Sequence, residues 1–229
     1  MKITVGITYY DNYEGLLKNI SHYENFANYK FIVVDDGSQT RPLTKDDVPD
    51  HWSLYRVTKD VGWNNEGCRN LIAYVCETEW LCLIDMDFVI KQSDIDLSGF
   101  DKNCIYFFAD INRRSFNGST SIRHSILFDH NQIFTTKKYF LECGGYDETY
   151  LGYYGMDGSL ISNPKFNYNI SEYDVIHTRN ERNERLGQTD EQRKYMLGKK
   201  KDTKLKTRLY LPKKINHNKK LTFPWVKIK

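Results

Sequence analysis

Apolar and polar residues alternate in blocks along the first third of the chain, and this pattern predicts strands joined by helices. Apolar runs at 3–9, 31–34, 54–57 and 80–84 have the length of buried strands. After the first run, Asp11 or Asn12 can cap a helix over 13–26, whose apolar residues recur at helical spacing. The segment 63–75 begins as a polar turn and becomes amphipathic. This alternation predicts an α/β fold with a mainly parallel central sheet flanked by helices.

The second part of the chain is less regular. Apolar runs predict strands at 104–108, at 133–136 and before His177, and the segment 137–143 is predicted to be a helix. Gly144 and Gly145 follow that helix as its left-handed stop. Residues 110–124 are rich in serine and asparagine and are expected to form a mobile loop over the site.

Charge divides the chain into two parts. Residues 194–229 contain thirteen Lys or Arg and one acid, a net charge of +12, whereas the whole chain is at +3, which leaves −9 on residues 1–193. A chain of 229 residues suits one α/β domain over 1–193, with halves 1–90 and 91–193, and a basic tail over 194–229. The tail could meet an anionic membrane surface or simply solubilise the protein, and both interpretations stay open. Nucleic acid is not expected as a partner, because no nucleic-acid motif accompanies the charge.

The sequence also indicates a cellular compartment. No signal peptide or membrane span is recognisable, so a cytoplasmic protein is expected, with the tail as its one contact to the inner face of a membrane. The five cysteines lie mostly in apolar segments without a C-x-x-C pair, which predicts buried thiols, no disulfides and no zinc.

Acidic residues stand at the ends of two predicted strands. Asp35 and Asp36 follow the apolar run 31–34, and Asp85 and Asp87 follow 80–84. An isolated D-x-D is common by chance and often marks a solvated turn. Open α/β sheets, however, bind ligands at the carboxyl ends of their strands, so two such ends favour a ligand site.

The order of the motifs resembles the GT-A glycosyltransferases, in particular the family-2-like group with a galactosyltransferase-like C-terminal motif. The motifs are T-Y-Y after the first strand, V-V-D-D-G-S, N-x-G-x-x-R-N, D-x-D, G-G-Y-D-E and G-x-x-G-x-D, within residues 3–180. The resemblance implies a single Rossmann-like GT-A domain and a nucleoside-diphosphate sugar as donor.

By resemblance, Asp87 binds a divalent metal directly, and Asp85 contacts the ribose or reaches the metal through water. His177, at the end of a later apolar run, matches a further ligand of some members. Imidazole beside carboxylate suits Mn²⁺ somewhat better than Mg²⁺. The alternatives are that Asp85 caps a turn and that His177 is structural.

Five residues match donor-binding positions: Thr8, Tyr10, Asp35, Asp36 and Arg69. An aspartate can accept a hydrogen bond from a uracil N–H, and an arginine can stack on a base or neutralise phosphate. Alternatively, the two acids form a turn and Arg69 pairs with it. Uridine is the expected base, although guanosine and thymidine stay open.

In the C-terminal motif, Asp157 matches the general base that removes the acceptor's hydroxyl proton, which implies a single displacement with inversion. The motif's tryptophan is replaced by Tyr153 or Tyr154, which can offer a ring face to a sugar acceptor. Met156 replaces the penultimate acid, and this departure leaves the acceptor uncertain. The alternative for Asp157 is a helix N-cap.

The sequence therefore predicts an inverting, metal-dependent transferase that moves a sugar from a nucleotide-sugar donor to a saccharide or glycolipid acceptor, as in polysaccharide biosynthesis. A non-catalytic sugar- or nucleotide-binding module is one alternative. A sugar-phosphate nucleotidyltransferase is another, although 3–11 lacks the glycine-rich phosphate loop that such an enzyme needs.

Overall fold

A computed structural model describes residues 3–110, 128–146, 148, 160, 165–178, 221 and 223–229 of the chain. In these residues three helices accompany nine strands, and a 3₁₀ turn (Lys45–Asp47) follows the second strand. The strands and helices are, in chain order, β1 (Ile3–Tyr9), α1 (Tyr13–Tyr23), β2 (Tyr29–Asp35), β3 (Trp52–Val57), α2 (Asn65–Val75), β4 (Trp80–Asp85), β5 (Phe88–Ile90), β6 (Ile105–Asp110), β7 (Phe128–Thr136), α3 (Lys137–Cys143), β8 (Tyr168–His177) and β9 (Trp225–Lys227).

All of the strands belong to one sheet with the order β5-β8-β6-β7-β4-β1-β2-β3-β9. The four strands β3, β2, β1 and β4 run parallel, as their alternation with helices predicts. Beyond β4 the sheet is mixed, because β7 is antiparallel to both of its neighbours and β5 is antiparallel to β8. The predicted α/β class is confirmed, with the parallel pairing concentrated in the N-terminal half.

Local signals fix the helix boundaries. The Asn12 side chain accepts a hydrogen bond from the Gly15 N–H at 3.0 Å and so caps α1, one of the two predicted caps. At the other end of the domain, α3 stops at Gly144, whose φ of 104° lies in the left-handed region. Glycine reaches this region without steric cost, and the predicted helix stop is confirmed.

Apolar side chains cover both faces of the sheet in two clusters. The α1 face carries aromatic rings, with Phe31 stacked on Trp52 at 4.5 Å between centroids and Trp80 on Phe134 at 4.7 Å. The opposite face is covered by α2 and α3. Each such buried side chain stabilises the fold by roughly 1.5–3 kcal/mol. The five cysteines are all buried, as predicted.

The C-terminal end of the basic tail is part of the sheet. β9 pairs antiparallel with the edge strand β3, and Phe223, just before it, is 4% exposed against the α2 face. Lys229 reaches back to the Asp50 carboxylate at 3.0 Å. The domain boundary at 193/194 stays a prediction, since residues 179–220 lie outside the described ranges. Among the helices that are described, none is long and apolar enough to cross a membrane.

Candidate functional site

The carboxyl ends of β1, β2 and β4 lie at one edge of the sheet and carry several of the predicted residues. Thr8 is in register with Asp85, and Tyr9 with Asp35. Asp36 follows β2 directly and donates its backbone N–H to the Tyr9 carbonyl at 2.8 Å. Because open α/β sheets bind ligands outside these strand ends, the edge is the candidate site.

The two consecutive acids after β2 differ in their contacts. Asp35 is fully buried and accepts three hydrogen bonds: from the Ser38 N–H at 2.9 Å, the Leu43 N–H at 2.9 Å and Arg56 Nε at 3.1 Å. These bonds tie the loop after β2 to β3. Asp35 therefore serves the scaffold, and its predicted contact with a nucleobase stays a prediction.

Asp36 keeps one carboxylate oxygen available. It is 5% exposed, and its Oδ2 accepts from the Asn64 N–H at 3.0 Å. Its Oδ1 and the Thr8 hydroxyl are buried and have no hydrogen-bond partner among the described residues. Burial raises the pKa of Asp36 to about 8, although the neighbouring Cys68 and Asn64 act in the opposite direction. Unsatisfied buried polar atoms cost about 1–3 kcal/mol each, so a ligand that meets them is favoured.

Tyr10 lies in the same crevice. Its half-buried hydroxyl donates to Asp60 Oδ2 at 3.3 Å, and Asp60 Oδ1 accepts from the Gly62 N–H at 2.8 Å. Asp60 lies beside the turn after Asp36, since its Cα is 3.1 Å from the position that a Cβ on Gly37 would take, and its charge contributes to the raised pKa of Asp36. The structure thus brings Thr8, Tyr10 and Asp36 together at the ends of β1 and β2.

Asp85, the first acid of the D-x-D, is held by a polar network. Its Oδ1 accepts from Arg69 Nη2 at 2.5 Å and from Asn65 Nδ2 at 3.1 Å, and its Oδ2 from Gln132 Nε2 at 3.1 Å. The Arg69 side chain is 0% exposed. Because a buried charge must be paired, Arg69 neutralises Asp85 from inside the protein. Its predicted contacts with base or phosphate stay predictions.

Asp87, the second acid, meets His177. The imidazole Nε2 lies 3.0 Å from Asp87 Oδ2. The His177 side chain is 35% exposed and the Asp87 side chain is 43% exposed. Antiparallel pairing of β5 with β8 brings them together, since Phe88 is in register with His177 and their rings pack edge to face at 4.8 Å. Burial and the neighbouring Asp85 raise the pKa of Asp87, whereas His177 lowers it.

Asp87 and His177 offer donor atoms of the kinds that divalent cations accept. One carboxylate oxygen and one imidazole nitrogen face each other at a partly exposed position, and this donor set suits Mn²⁺. Within the described ranges no group of three His, Cys, Asp or Glu side chains could hold a metal. Two of the three predicted ligands therefore converge, while Asp85 is bound to Arg69.

A second set of contacts joins α2 to the segment after α3. Asn70 uses both amide atoms: its Nδ2 donates to the Tyr146 carbonyl at 2.9 Å, and its Oδ1 accepts from the Tyr146 N–H at 2.9 Å. Asn70 Nδ2 also donates to Glu148 Oε1 at 2.8 Å, and Arg69 Nη1 to the Tyr146 hydroxyl at 2.9 Å. The segment that leads toward the G-x-x-G-x-D motif is thus fixed to the helix that holds Asp85.

Three predicted site residues lie outside the described residues: the general base Asp157 and the acceptor residues Tyr153 and Tyr154. Most of the predicted loop at 110–124 does too, since its description ends at Asp110.

Sequence reasoning missed several polar residues of the site, among them Asn19 and Gln132. Asn19 falls between Leu16 and Tyr23 on the apolar face of α1 and is 0% exposed. A polar residue in an apolar stripe needs a buried partner, and this signal could have identified it. Gln132 lies in a strand whose sequence gives no such signal.

The fold is that of the GT-A glycosyltransferases. The catalytic domain of Drosophila beta1,4galactosyltransferase 7 in complex with xylobiose superposes with a TM-score of 0.51 at 10% identity, over 78% of this chain and 71% of that chain. A mutant of the Drosophila protein in complex with manganese, UDP-Gal and xylobiose gives 0.50 at 9% identity, over 79% and 72%. S. aureus TarS 1-349 gives 0.53 at 12% identity, over 76% and 59%.

At these identities the likeness establishes the fold alone. No protein-family model matches the chain, and no curated protein matches it by sequence. Function therefore has to be argued from the chain's own residues.

Proposed function

We propose that the protein is a metal-dependent glycosyltransferase that moves a sugar from a nucleoside-diphosphate donor to a saccharide or lipid-linked acceptor. The observation that carries the proposal is the pair of Asp87 and His177, 3.0 Å apart next to the carboxyl end of β4. The pair lies at the edge of the sheet where open α/β sheets bind ligands. The structural neighbour in complex with manganese and UDP-Gal supports this assignment by analogy.

The donor's base would bind at the ends of β1 and β2. Asp36 Oδ1 and Thr8 Oγ1 are buried polar atoms in need of partners, and a uracil ring offers an N–H donor and carbonyl acceptors. Asp36 is better placed than Asp35 for this contact, because Asp35 already accepts three hydrogen bonds. UDP is therefore the donor nucleotide that we propose.

Asp87 and His177 would hold the cation. A bound Mn²⁺ or Mg²⁺ supplies charge neutralisation to the departing diphosphate. Arg69 holds Asp85 in place beside them through a buried ion pair at 2.5 Å. Asp85 would then contact the ribose or reach the metal through water.

For the acceptor side, we propose Asp157 as the general base that takes the hydroxyl proton, with Tyr153 and Tyr154 as the platform for the acceptor sugar. One positioned carboxylate and one displacement imply inversion at the anomeric carbon. The support for these roles is the G-x-x-G-x-D motif and the Asn70 contacts that fix the segment leading to it.

Metal binding tests the proposal most directly. Loss of the free Mn²⁺ signal in electron paramagnetic resonance measures binding, and a thermal-shift series with UDP, GDP and dTDP identifies the base. A nucleotide at a hundred times its dissociation constant adds about 2.7 kcal/mol of stability. Sugar transfer and donor hydrolysis are then measured with and without Mn²⁺.

Two isosteric variants make the test specific. Asp87→Asn should abolish Mn²⁺ binding and transfer. Glu79→Gln changes an exposed acid at the opposite end of β4, paired with Lys102 at 2.6 Å, and should bind Mn²⁺ like the wild type. Equal Mn²⁺ binding by Asp87→Asn and the wild type would overturn the metal assignment. Nucleotide binding without turnover would favour the binding-module alternative.

We also propose that the protein is cytoplasmic and that its basic tail meets an anionic membrane surface. The net charge of +12 over residues 194–229 supports the membrane contact, because each basic residue near such a surface contributes about 1 kcal/mol to binding. Co-sedimentation with phosphatidylserine vesicles, but not with phosphatidylcholine vesicles, is the expected result. Equal recovery with both would exclude the electrostatic contact.

A further inference from the structure

Met86 and Asp87 alone separate β4 from β5, and a side chain of α1 holds the first of their carbonyls. Asn19 is 0% exposed, and its Nδ2 donates to the Met86 carbonyl at 2.6 Å. The same Nδ2 donates to the Gly15 carbonyl one turn earlier in α1 at 3.1 Å. The amide is thus anchored on its own helix and points at the peptide between the two acids of the D-x-D.

The Asp87 carbonyl is held by Thr178, at the end of β8. Thr178 follows β8 and donates twice to the Asp87 carbonyl, from its backbone N–H at 2.7 Å and from its hydroxyl at 3.0 Å. Thr178 is also the residue after His177, so the segment that supplies the imidazole fixes the backbone that supplies the carboxylate.

The downstream end of this segment is anchored to α1 as well. The Tyr23 hydroxyl accepts from the Ile90 N–H at 2.9 Å, and His22 Nε2 lies 2.7 Å from the Ile90 carbonyl. Backbone groups at 86 and 87, in the turn between β4 and β5, are therefore held by Asn19 and by Thr178. The end of β5 at residue 90 is held by side chains of α1 in addition to its pairing with β8.

This arrangement matters because the Asp87 side chain is 43% exposed and only partly enclosed by other side chains. Its position relative to His177 depends on the backbone on either side of it. Removal of a residue that orients a metal ligand without binding the metal typically weakens metal affinity by about 10–100-fold.

We propose that Asn19 and Thr178 are positioning residues for the cation site at Asp87 and His177, a role that rests on the proposed function. Asn19 fixes the peptide between the acids, and the Thr178 hydroxyl fixes the carbonyl of Asp87. Neither side chain contacts the cation. Together they set the spacing of carboxylate and imidazole before the cation arrives.

Matched substitutions at Thr178 isolate the hydroxyl. Thr178→Val keeps the shape and removes the donor, whereas Thr178→Ser keeps the donor. Asn19→Leu removes the amide at similar volume. Thr78→Val is the control for structural damage, because the Thr78 hydroxyl is buried and lies 2.7 Å from the Trp80 carbonyl, at the opposite end of β4.

Mn²⁺ dissociation constants are measured by electron paramagnetic resonance, and amide hydrogen exchange at 86–90 is measured without metal. Thr178→Val and Asn19→Leu should weaken Mn²⁺ binding about 10–100-fold and speed exchange at 86–90. Thr178→Ser should restore binding to within about threefold of the wild type, and Thr78→Val should leave binding unchanged even if it lowers Tm as much.

Dissociation constants for Thr178→Val and Asn19→Leu that equal the wild-type value would overturn the inference. If the wild type and Asp87→Asn both fail to bind Mn²⁺, the proposed function fails. Faster exchange at 86–90 in the two variants would then still support the positioning of the backbone, whereas unchanged exchange would refute that too.

Discussion

Asp36→Asn should stabilise the protein relative to the wild type, by an amount that grows with pH. Asp36 is 5% exposed, and burial raises its pKa from 3.8 to about 8. A group whose pKa is raised by folding contributes its full stability below the unfolded value, and this contribution is lost as pH rises toward the folded value. Asparagine has the shape of the protonated acid and cannot ionise, so the variant escapes this loss.

The magnitude follows from linkage. Between a pKa of 3.8 in the unfolded chain and about 8 in the folded one, the wild type loses stability relative to the variant. The slope is about 1.4 kcal/mol per pH unit. Between pH 5 and pH 7 the free energies of unfolding should therefore diverge by about 2.7 kcal/mol in favour of Asp36→Asn.

Urea unfolding at pH 5, 6 and 7 measures the divergence, with Asp47→Asn as the control. Burial raises the pKa of Asp47, but hydrogen bonds from Thr44 and Arg41 outweigh it and lower this pKa to about 2. Asp47 is therefore ionised in both states from pH 5 to pH 7, and its variant should differ from the wild type by a constant amount. A constant difference for Asp36→Asn as well would refute the reasoning.

Three further results are expected. Arg69→Met leaves Asp85 without its buried cation and should lower the free energy of unfolding by about 3–5 kcal/mol, whereas Tyr146→Phe, which removes one neutral partner of Arg69, should cost about 1 kcal/mol in the same urea assay. UDP binding should release a proton near pH 7, because an N–H donor at Asp36 favours its carboxylate form. Calorimetry in buffers of different ionisation enthalpy would detect the released proton, and equal heats in all buffers would contradict the prediction. Asp157→Asn should bind UDP and Mn²⁺ normally yet transfer sugar at least about a hundredfold more slowly, roughly 2.7 kcal/mol on the barrier, and a product that retains the donor's configuration would contradict single displacement.

The regular part of the fold was predictable because local pattern and tertiary structure agree there. Each apolar run from β1 to β4 forms a strand whose side chains are mostly buried, and Gly144 ends α3 as its position after the helix indicates. β9 was not predictable. Its three residues lie in a basic segment and become a strand only because the edge of β3 is there to pair with them.

The site was predictable by residue type more than by role. The sequence predicted the acids at the ends of β2 and β4 as site residues. It also predicted His177 as a further metal ligand alongside Asp87, and the structure brings these two side chains within 3.0 Å. The sequence did not show which of the two adjacent acids, Asp35 or Asp36, stabilises the scaffold. Asp35 is bound by Arg56 and Asp36 by Asn64, and both of these residues lie on other elements. Long-range hydrogen bonds of this kind leave no periodic signal in the sequence.

The D-x-D spacing has a physical consequence at this sheet edge. Asp85 ends β4 and is neutralised by the buried guanidinium of Arg69, whereas Asp87 lies beyond the strand against His177. If both acids shared one cation, Arg69 would compete with it for Asp85 and the buried guanidinium would lose its partner. Direct binding of a cation by Asp85 would therefore disrupt its buried pair with Arg69, in keeping with the proposed contact to the ribose or to the metal through water. Under the proposed function Asp87 is the acid that would hold the cation directly, and the hydrogen bonds from Asn19 and Thr178 to the Met86 and Asp87 carbonyls would set the position of its carboxylate.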